Sequence, residues 1–239
     1  MGRPRFSQAD FLAAAMAIAA ERGPAAVTVA SISERLSSPT GSFYHRFASR
    51  NVLLGALWLR TVLDFQQGVT AALNAGDGLQ AALHTPAWAR VHLDAARLLL
   101  LYDREDFVQG EWPEELRARV AEMAERMRAG SLRCARVIFD HDGPQEVRLA
   151  QFLIAEVPLA AVRQHLVRRE PPPPLVDRLI RTTYRAVVAD YRARKRRSDL
   201  VGRAGDVIPR GGEDHGHARP VAARERDRRK GSRVHGNHR

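Results

Sequence analysis

Near the start of the chain, Phe11, Ala15, Ile18 and Ala19 recur at helical spacing and predict a helix from Ser7 to Arg22. Gly23-Pro24 supplies a C-terminal cap and a stop. Thr28 can cap a second helix with Val29, Ile32 and Leu36 on its apolar face. A polar break follows at Ser37-Ser38. Pro39 then stands where a first helical residue belongs, with Ser38 as its N-cap, and a third short helix is expected to about Phe47. Three short helices with a brief break before the last have the layout of a helix-turn-helix.

Beyond this segment the helical period continues. Residues 51–73 place Leu54, Leu57, Trp58, Val62 and Phe65 inward, and Asn74 to Gly78 breaks the run. Helices are expected around 79–91 and 93–103, then a loop holding Gly110 and Pro113. A long helix over 114–139 follows, with Leu116, Val120, Met123, Met127, Leu132 and Ile138 as its apolar side. Two more helices, about 145–169 and 174–196, flank the prolines Pro171 to Pro174. No alternating pattern of useful length predicts a strand, so the expected fold is all-α, with a helical bundle behind the N-terminal domain.

The 145–169 segment is apolar on two sides, and a helix so built can face its own core and a second copy of the chain. Val147, Ile154, Val157 and Ala161 are expected at a homodimer interface, joined by Val176, Ile180, Val187 and Tyr191 from the next helix. A purely intramolecular bundle is the alternative. Pro158 should bend the first of these helices. From about Ser198 the apolar residues vanish, and residues 197–239 read as a basic disordered tail. The expected domains are therefore 1–50, 51–196 and 197–239.

Charge changes the picture only modestly. The net charge is +11, and of 38 basic residues only Lys195 and Lys230 are lysines. Such a balance suits a nucleic-acid partner, and it suits a GC-rich genome equally well. Cys134 is the one cysteine, which excludes an intramolecular disulfide and a cysteine metal cluster, and fits a reducing cytoplasm. Phe11 to Ala20 follows two arginines and imitates a secretory leader, with Ala17-Ile18-Ala19 as a mock cleavage site. Asp10 and the many alanines speak against that reading. No apolar run reaches the length of a membrane span.

Enzyme chemistry lacks a signal. His84, His92 and His165 show no metal-pair spacing, Cys134 lies in an arginine-rich helix, and no glycine-rich phosphate loop occurs. His215-Gly216-His217 and Gly211-Gly212 belong to the tail. No cofactor or metal is expected.

The informative residues lie between Thr28 and Arg50. Phe43 and Phe47, four apart, should pack back onto Ile32 and Leu36. Thr40, Gly41, Ser42, Tyr44, His45 and Arg46 then remain on or beside the outer surface of the third helix. Small residues there let the backbone approach base edges, and hydroxyl, phenol and imidazole groups can reach bases or phosphates. Arg50 is placed to neutralise the DNA backbone, and Arg3 and Arg5 could add contacts from an N-terminal arm.

The run Thr28-Val29, Ile32, Gly41-Ser42-Phe43-Tyr44-His45-Arg46-Phe47 and Arg50 resembles the TetR-type transcriptional regulators over about forty-five residues. The resemblance implies a DNA-binding helix-turn-helix in which Tyr44 and Arg50 touch phosphate. It also implies a helical domain for dimerisation and for a small-molecule effector, acting together as a repressor on a palindromic double-stranded operator. Two positions depart from the family pattern: Ser37 stands where Gly is usual, at a modest cost if its φ is positive, and Ser38 replaces an apolar residue. For the effector, Trp88, Tyr102, Phe107, Trp112, Met123 and Met127 come from segments that could converge into a pocket. Residues of these types at helical spacing are more often core. A DNA-binding regulator or scaffold without a ligand is the alternative.

Overall fold

The computed structural model describes residues 6–107 and 112–205. Expectations placed on Arg3, Arg5, Gly110 and the chain from residue 206 onward lie outside these. Among the described residues the fold is all-helical. The helices are α1 (Gln8–Arg22), α2 (Val29–Leu36), α3 (Thr40–Tyr44), α4 (Arg50–Asn74) and α5 (Gly78–Val91). They continue as α6 (Leu93–Leu101), α7 (Glu114–Phe139), α8 (Pro144–Gln151), α9 (Val157–Val167) and α10 (Pro174–Gly205). Residues 1–198 form one compact unit and residues 199–239 a second. No helix among the described residues is long and apolar enough to cross a membrane.

Local chemistry sets the first helices. Ser7 caps α1: its backbone N–H donates to the Asp10 carboxylate at 2.7 Å, while the Asp10 N–H returns a bond to the Ser7 hydroxyl. These donors hold the Asp10 carboxyl below the usual range. The leader-like stretch is core, with Phe11, Ala15, Ile18 and Ala19 fully buried. Thr28 and Ser31 form the same reciprocal cap on α2, with the Ser31 N–H donating to Thr28 Oγ1 at 3.0 Å.

The core has three parts. The first joins α1 to α4 with the ends of α6 and α7, and buries Phe11, Ile32, Phe43, Leu54, Phe107 and Met123. A second lies among α4, α5, α7, α8 and α10, around Cys134, Ile138, Phe139 and Leu153. A third gathers Trp88, Ala96, Val162, Leu166, Val176 and Ile180.

Three expectations about the helices change. The apolar side of α7 is interrupted: Met127 and Leu132 are exposed, because the helix meets the first core near Leu116–Met123 and the second near Cys134–Phe139, spanning the gap between. The expected 145–169 helix is one rod with a π-helical stretch, Phe152–Glu156, between α8 and α9. Pro158 explains it. A proline in a regular helix clashes with the carbonyl four residues back, and the wider turn just before it removes the conflict. Finally, α10 continues to Gly205, past the expected end at 196.

Candidate nucleic-acid interface

The recognition element is built backwards from its buried side. Phe43 is fully buried and meets the ring of Phe11 edge-on at 5.9 Å and that of Phe47 at 5.8 Å. Phe11 is the partner that spacing alone did not assign to it. With these rings turned in, α3 presents Thr40, Gly41, Tyr44 and His45 outward, Tyr44 being 58% exposed. A Cβ added at Gly41 would meet nothing within 4 Å, so the small residue leaves open space at the surface. Ser42 is half-buried, its carbonyl accepting from Arg46 Nη1 at 3.2 Å, and the Arg46 guanidinium lies 5.9 Å from the Phe11 ring centroid. Thr28 is exposed at the start of α2.

The turn between α2 and α3 differs from expectation at Ser38. Ser37 takes the left-handed conformation, with φ 49°, which a non-glycine residue adopts at a cost of about 1 kcal/mol. Ser38 does not cap α3. Pro39 occupies the N-cap position, and Ser38 turns inward, its N–H donating to the Ser33 carbonyl at 2.9 Å. The hydroxyls of Ser33 and Ser38 are buried without a hydrogen-bond partner among the described residues. Ser38 is therefore part of the turn's interior and not of the exposed face.

Arg50 also has work within the protein. Its Nε donates to the Val27 carbonyl, Nη2 to the Pro24 carbonyl at 2.9 Å, and Nη1 to Asn51 Oδ1 at 3.5 Å. The guanidinium ties the start of α4 to the 3-10 turn Pro24–Ala26 that separates α1 from α2. Glu21 on α1 pairs with Arg35 on α2 at 2.5 Å, a second tie that the linear pattern gave no reason to single out.

This assembly of α1, the αL turn and an outward α3 is a helix-turn-helix. Residues 11–57 match the family model described as bacterial regulatory proteins, tetR family. Over these residues the chain is similar to the N-terminal domain of that family. The likeness extends to solved structures at the level of fold. A tetR family transcription regulator from Shewanella sp. PV-4 is 19% identical with a TM-score of 0.54, over 77% of this chain and 96% of that one. The transcriptional regulatory protein RHA5900 is 18% identical with a TM-score of 0.53, over 77% of this chain and 97% of that one. No curated protein matches the chain.

The residues expected to line an effector pocket do not form one group. Tyr102, Phe107, Trp112 and Met123 do converge in the first core. Trp88 lies in the third core, its indole N–H donating to Asp64 at 2.9 Å, and Met127 is 53% exposed. Trp112 lies so close over α4 that a Cβ at Gly55 would fall 2.6 Å from its ring. Its indole N–H is buried with no acceptor among the described residues. A separate open cleft of about 400 Å³ is lined by Asp77, Gly78, Ile138, Tyr184, Arg185 and Arg192.

The expected dimer residues also divide. Val176 and Ile180 are 3% and 1% exposed and pack inside the chain's own third core. Val147, Ile154, Val187 and Tyr191 pack against the second core, while Val157 and Ala161 pack against the third. The apolar residues left outward are their neighbours: Leu175 and Leu179 on α10, 49% and 55% exposed, with Thr182 and Ala186 continuing the same line. Phe152, Ala155 and Ala160 are exposed on the preceding rod.

The remaining nucleophile and imidazole candidates serve packing. Burial pushes the Cys134 thiol up to about 12, so it stays protonated. His84 Nε2 lies 2.8 Å from the Phe65 carbonyl, and burial lowers its pKa. His92 stacks at 5.5 Å from Trp88.

Proposed function

We propose that the chain is a ligand-responsive regulator, acting as a repressor, that binds a palindromic double-stranded operator as a homodimer in the cytoplasm. The observation that carries this reading is the outward face of α3. Thr40, Gly41 and His45 would reach base edges in the major groove, and Tyr44 and Thr28 would reach flanking phosphates. Arg46 keeps part of its guanidinium at the surface for the DNA backbone. Arg50 acts mainly by holding the turn that positions α2, and contributes less to phosphate than a free arginine.

A palindromic site needs two heads at fixed separation. The exposed line Leu175, Leu179, Thr182 and Ala186 on α10, together with the exposed Phe152 and Ala155 on the preceding rod, supports a self-complementary helix pair as the seam. For the effector, the indole N–H of Trp112, buried without an acceptor among the described residues, favours a small molecule that brings a hydrogen-bond acceptor between α4, α6 and α7. A ligand there would shift the packing of α6 and weaken DNA binding.

Selection of DNA from a random pool by the full chain should return an inverted repeat. Gel shifts on that sequence should be selective and salt-sensitive. Equal affinity for unrelated duplexes at moderate salt overturns the reading, and sedimentation showing only monomer on and off DNA overturns its dimeric form.

A further inference from the structure

Arg97 on α6 is 7% exposed, and among the described residues its guanidinium meets main-chain carbonyls and no carboxylate. Nε and Nη2 donate to the Ala20 carbonyl at 3.4 and 3.3 Å, while Nη1 donates to the carbonyls of Leu166 and Val167. Ala20 lies in the last turn of α1 and Leu166 and Val167 in the last turn of α9. Terminal carbonyls of a helix lack intrahelical donors and form the negative end of its dipole, so one cation serves both ends. Separating the two ends would cost the buried charge its acceptors and the Ala20 carbonyl its donors, while the Leu166 carbonyl would keep the Arg169 N–H at 3.1 Å.

A second arginine repeats the contact. Arg169, just after α9, has φ 60°, a conformation that favours glycine. Its guanidinium donates to the Glu21 carbonyl at the end of α1, and the Glu21 side chain in turn pairs with Arg35 on α2. The sequence thus carries a long cation at a backbone position where glycine would be less strained.

We propose that Arg97 and Arg169 are positioning residues: they lock the end of α1 to the end of α9, so the DNA-reading head holds the angle that operator spacing requires. This rests on the dimeric, operator-binding reading above. DNA affinity then depends on the relative placement of α6, α9 and α1, and whatever moves α6 or α9 moves the head.

The test uses the full chain, with Arg97→Met, Arg97→Lys and Arg169→Gly, on operators whose half-sites are moved apart or together by single base pairs. The wild type should show a sharp spacing optimum. Arg97→Met should bind the best-spaced operator about tenfold more weakly and lose discrimination against the others. Arg97→Lys should fall between, because an ammonium is a compact point donor without the guanidinium fork. Arg169→Gly should melt at the same or a higher temperature, since glycine suits the left-handed position, yet tolerate more spacings. A residue that merely stabilised the fold would not lower spacing discrimination while raising the melting temperature. Folded, dimeric Arg169→Gly and Arg97→Met proteins with the wild-type spacing optimum overturn the proposal. Should Arg97→Met fail to fold, Arg169→Gly alone decides it. A wild type that selects no inverted repeat overturns the functional reading as well, and so is told apart from failure of the variants alone.

Discussion

On α3, Phe43 and Tyr44 are adjacent, and one is fully buried while the other is 58% exposed. On α10, Ile180 and Leu179 are adjacent too, at 1% and 55% exposure. The first pair differs in chemistry as well as in fate, since a phenol prefers an environment where its hydroxyl has a partner. The second pair is two aliphatic residues of equal size, and only the helices packed against α10 choose between them. The side of a helix that faces a partner is thus readable where the two sides differ chemically, and hidden where both are apolar.

The sharpest way to break this comparison is to place a carboxylate at each α10 position. Ile180→Glu should unfold the regulatory core, a loss of more than about 4 kcal/mol from an unpaired buried charge. Leu179→Glu should leave secondary structure intact and convert the protein to monomer. Circular dichroism melts and sedimentation distinguish them, and equal melting of the two variants would erase the contrast. On α3, Phe43→Ala should cost about 3–5 kcal/mol of stability in the head. Tyr44→Ala should change stability by less than about 0.5 kcal/mol, and should weaken binding to specific and scrambled DNA alike. A Tyr44→Ala effect confined to one operator position would reassign it from phosphate to base.

Arg50→Ala comes next in size. Loss of its bonds to the Pro24 and Val27 carbonyls should cost about 1–3 kcal/mol in the DNA-free protein. The log–log salt slope of DNA binding should change by clearly less than about one unit, the value for a lost phosphate contact. A full unit of slope with unchanged melting would restore Arg50 to the phosphate set.

The smallest effect concerns pH. The Tyr191 hydroxyl donates to Glu146 at 2.7 Å, with His141 Nδ1 3.3 Å from the other oxygen, and these partners hold the Glu146 carboxyl below its usual range. Burial, with Glu146 beside it, pushes the Tyr191 hydroxyl up to about 12, so it stays a donor. A depressed carboxyl stabilises the fold above its unfolded value and loses that contribution as pH falls through the folded one. Tyr191→Phe should therefore lower stability slightly at neutral pH and converge with the wild type as pH falls below the folded Glu146 value. Denaturant melts of equal midpoint at neutral pH would show that the bond contributes nothing measurable.

Much of the head could be read from the chain because its signals are local: Thr28 at a cap, Gly23-Pro24 at a stop, Phe43 and Phe47 four apart. The errors there are short ones: α3 ends at Tyr44, three residues before the expected Phe47, and Ser38 does not cap it. Ser38 looked like a cap, but a serine in an αL turn also has an inward option, and Pro39 supplied the extended backbone that precedes a helix. Farther along, periodicity found the helices and misplaced their faces. Met127 and Leu132 fit the apolar period of α7, yet they cross the gap between two cores. Val176 and Ile180 fit a seam, yet so did Leu175 and Leu179 a residue earlier. Arg97 carried no signal at all, since a buried arginine bound only to distant carbonyls has no neighbour in sequence to announce it.

The π-helical stretch before Pro158 also acts as a counting device. Buried positions along that rod run Ala150, Leu153, Pro158, Val162 and Leu166, so the step across the wide turn is five residues where every other step is three or four. One surplus residue turns everything beyond it by about 100°, and the wide turn absorbs that rotation before it reaches α9. Removing Ala155 would restore a regular count, with every later residue still in phase, but would return the proline to a turn too tight for its ring. In this rod an insertion and a proline are therefore a matched pair, and related chains should carry both or neither.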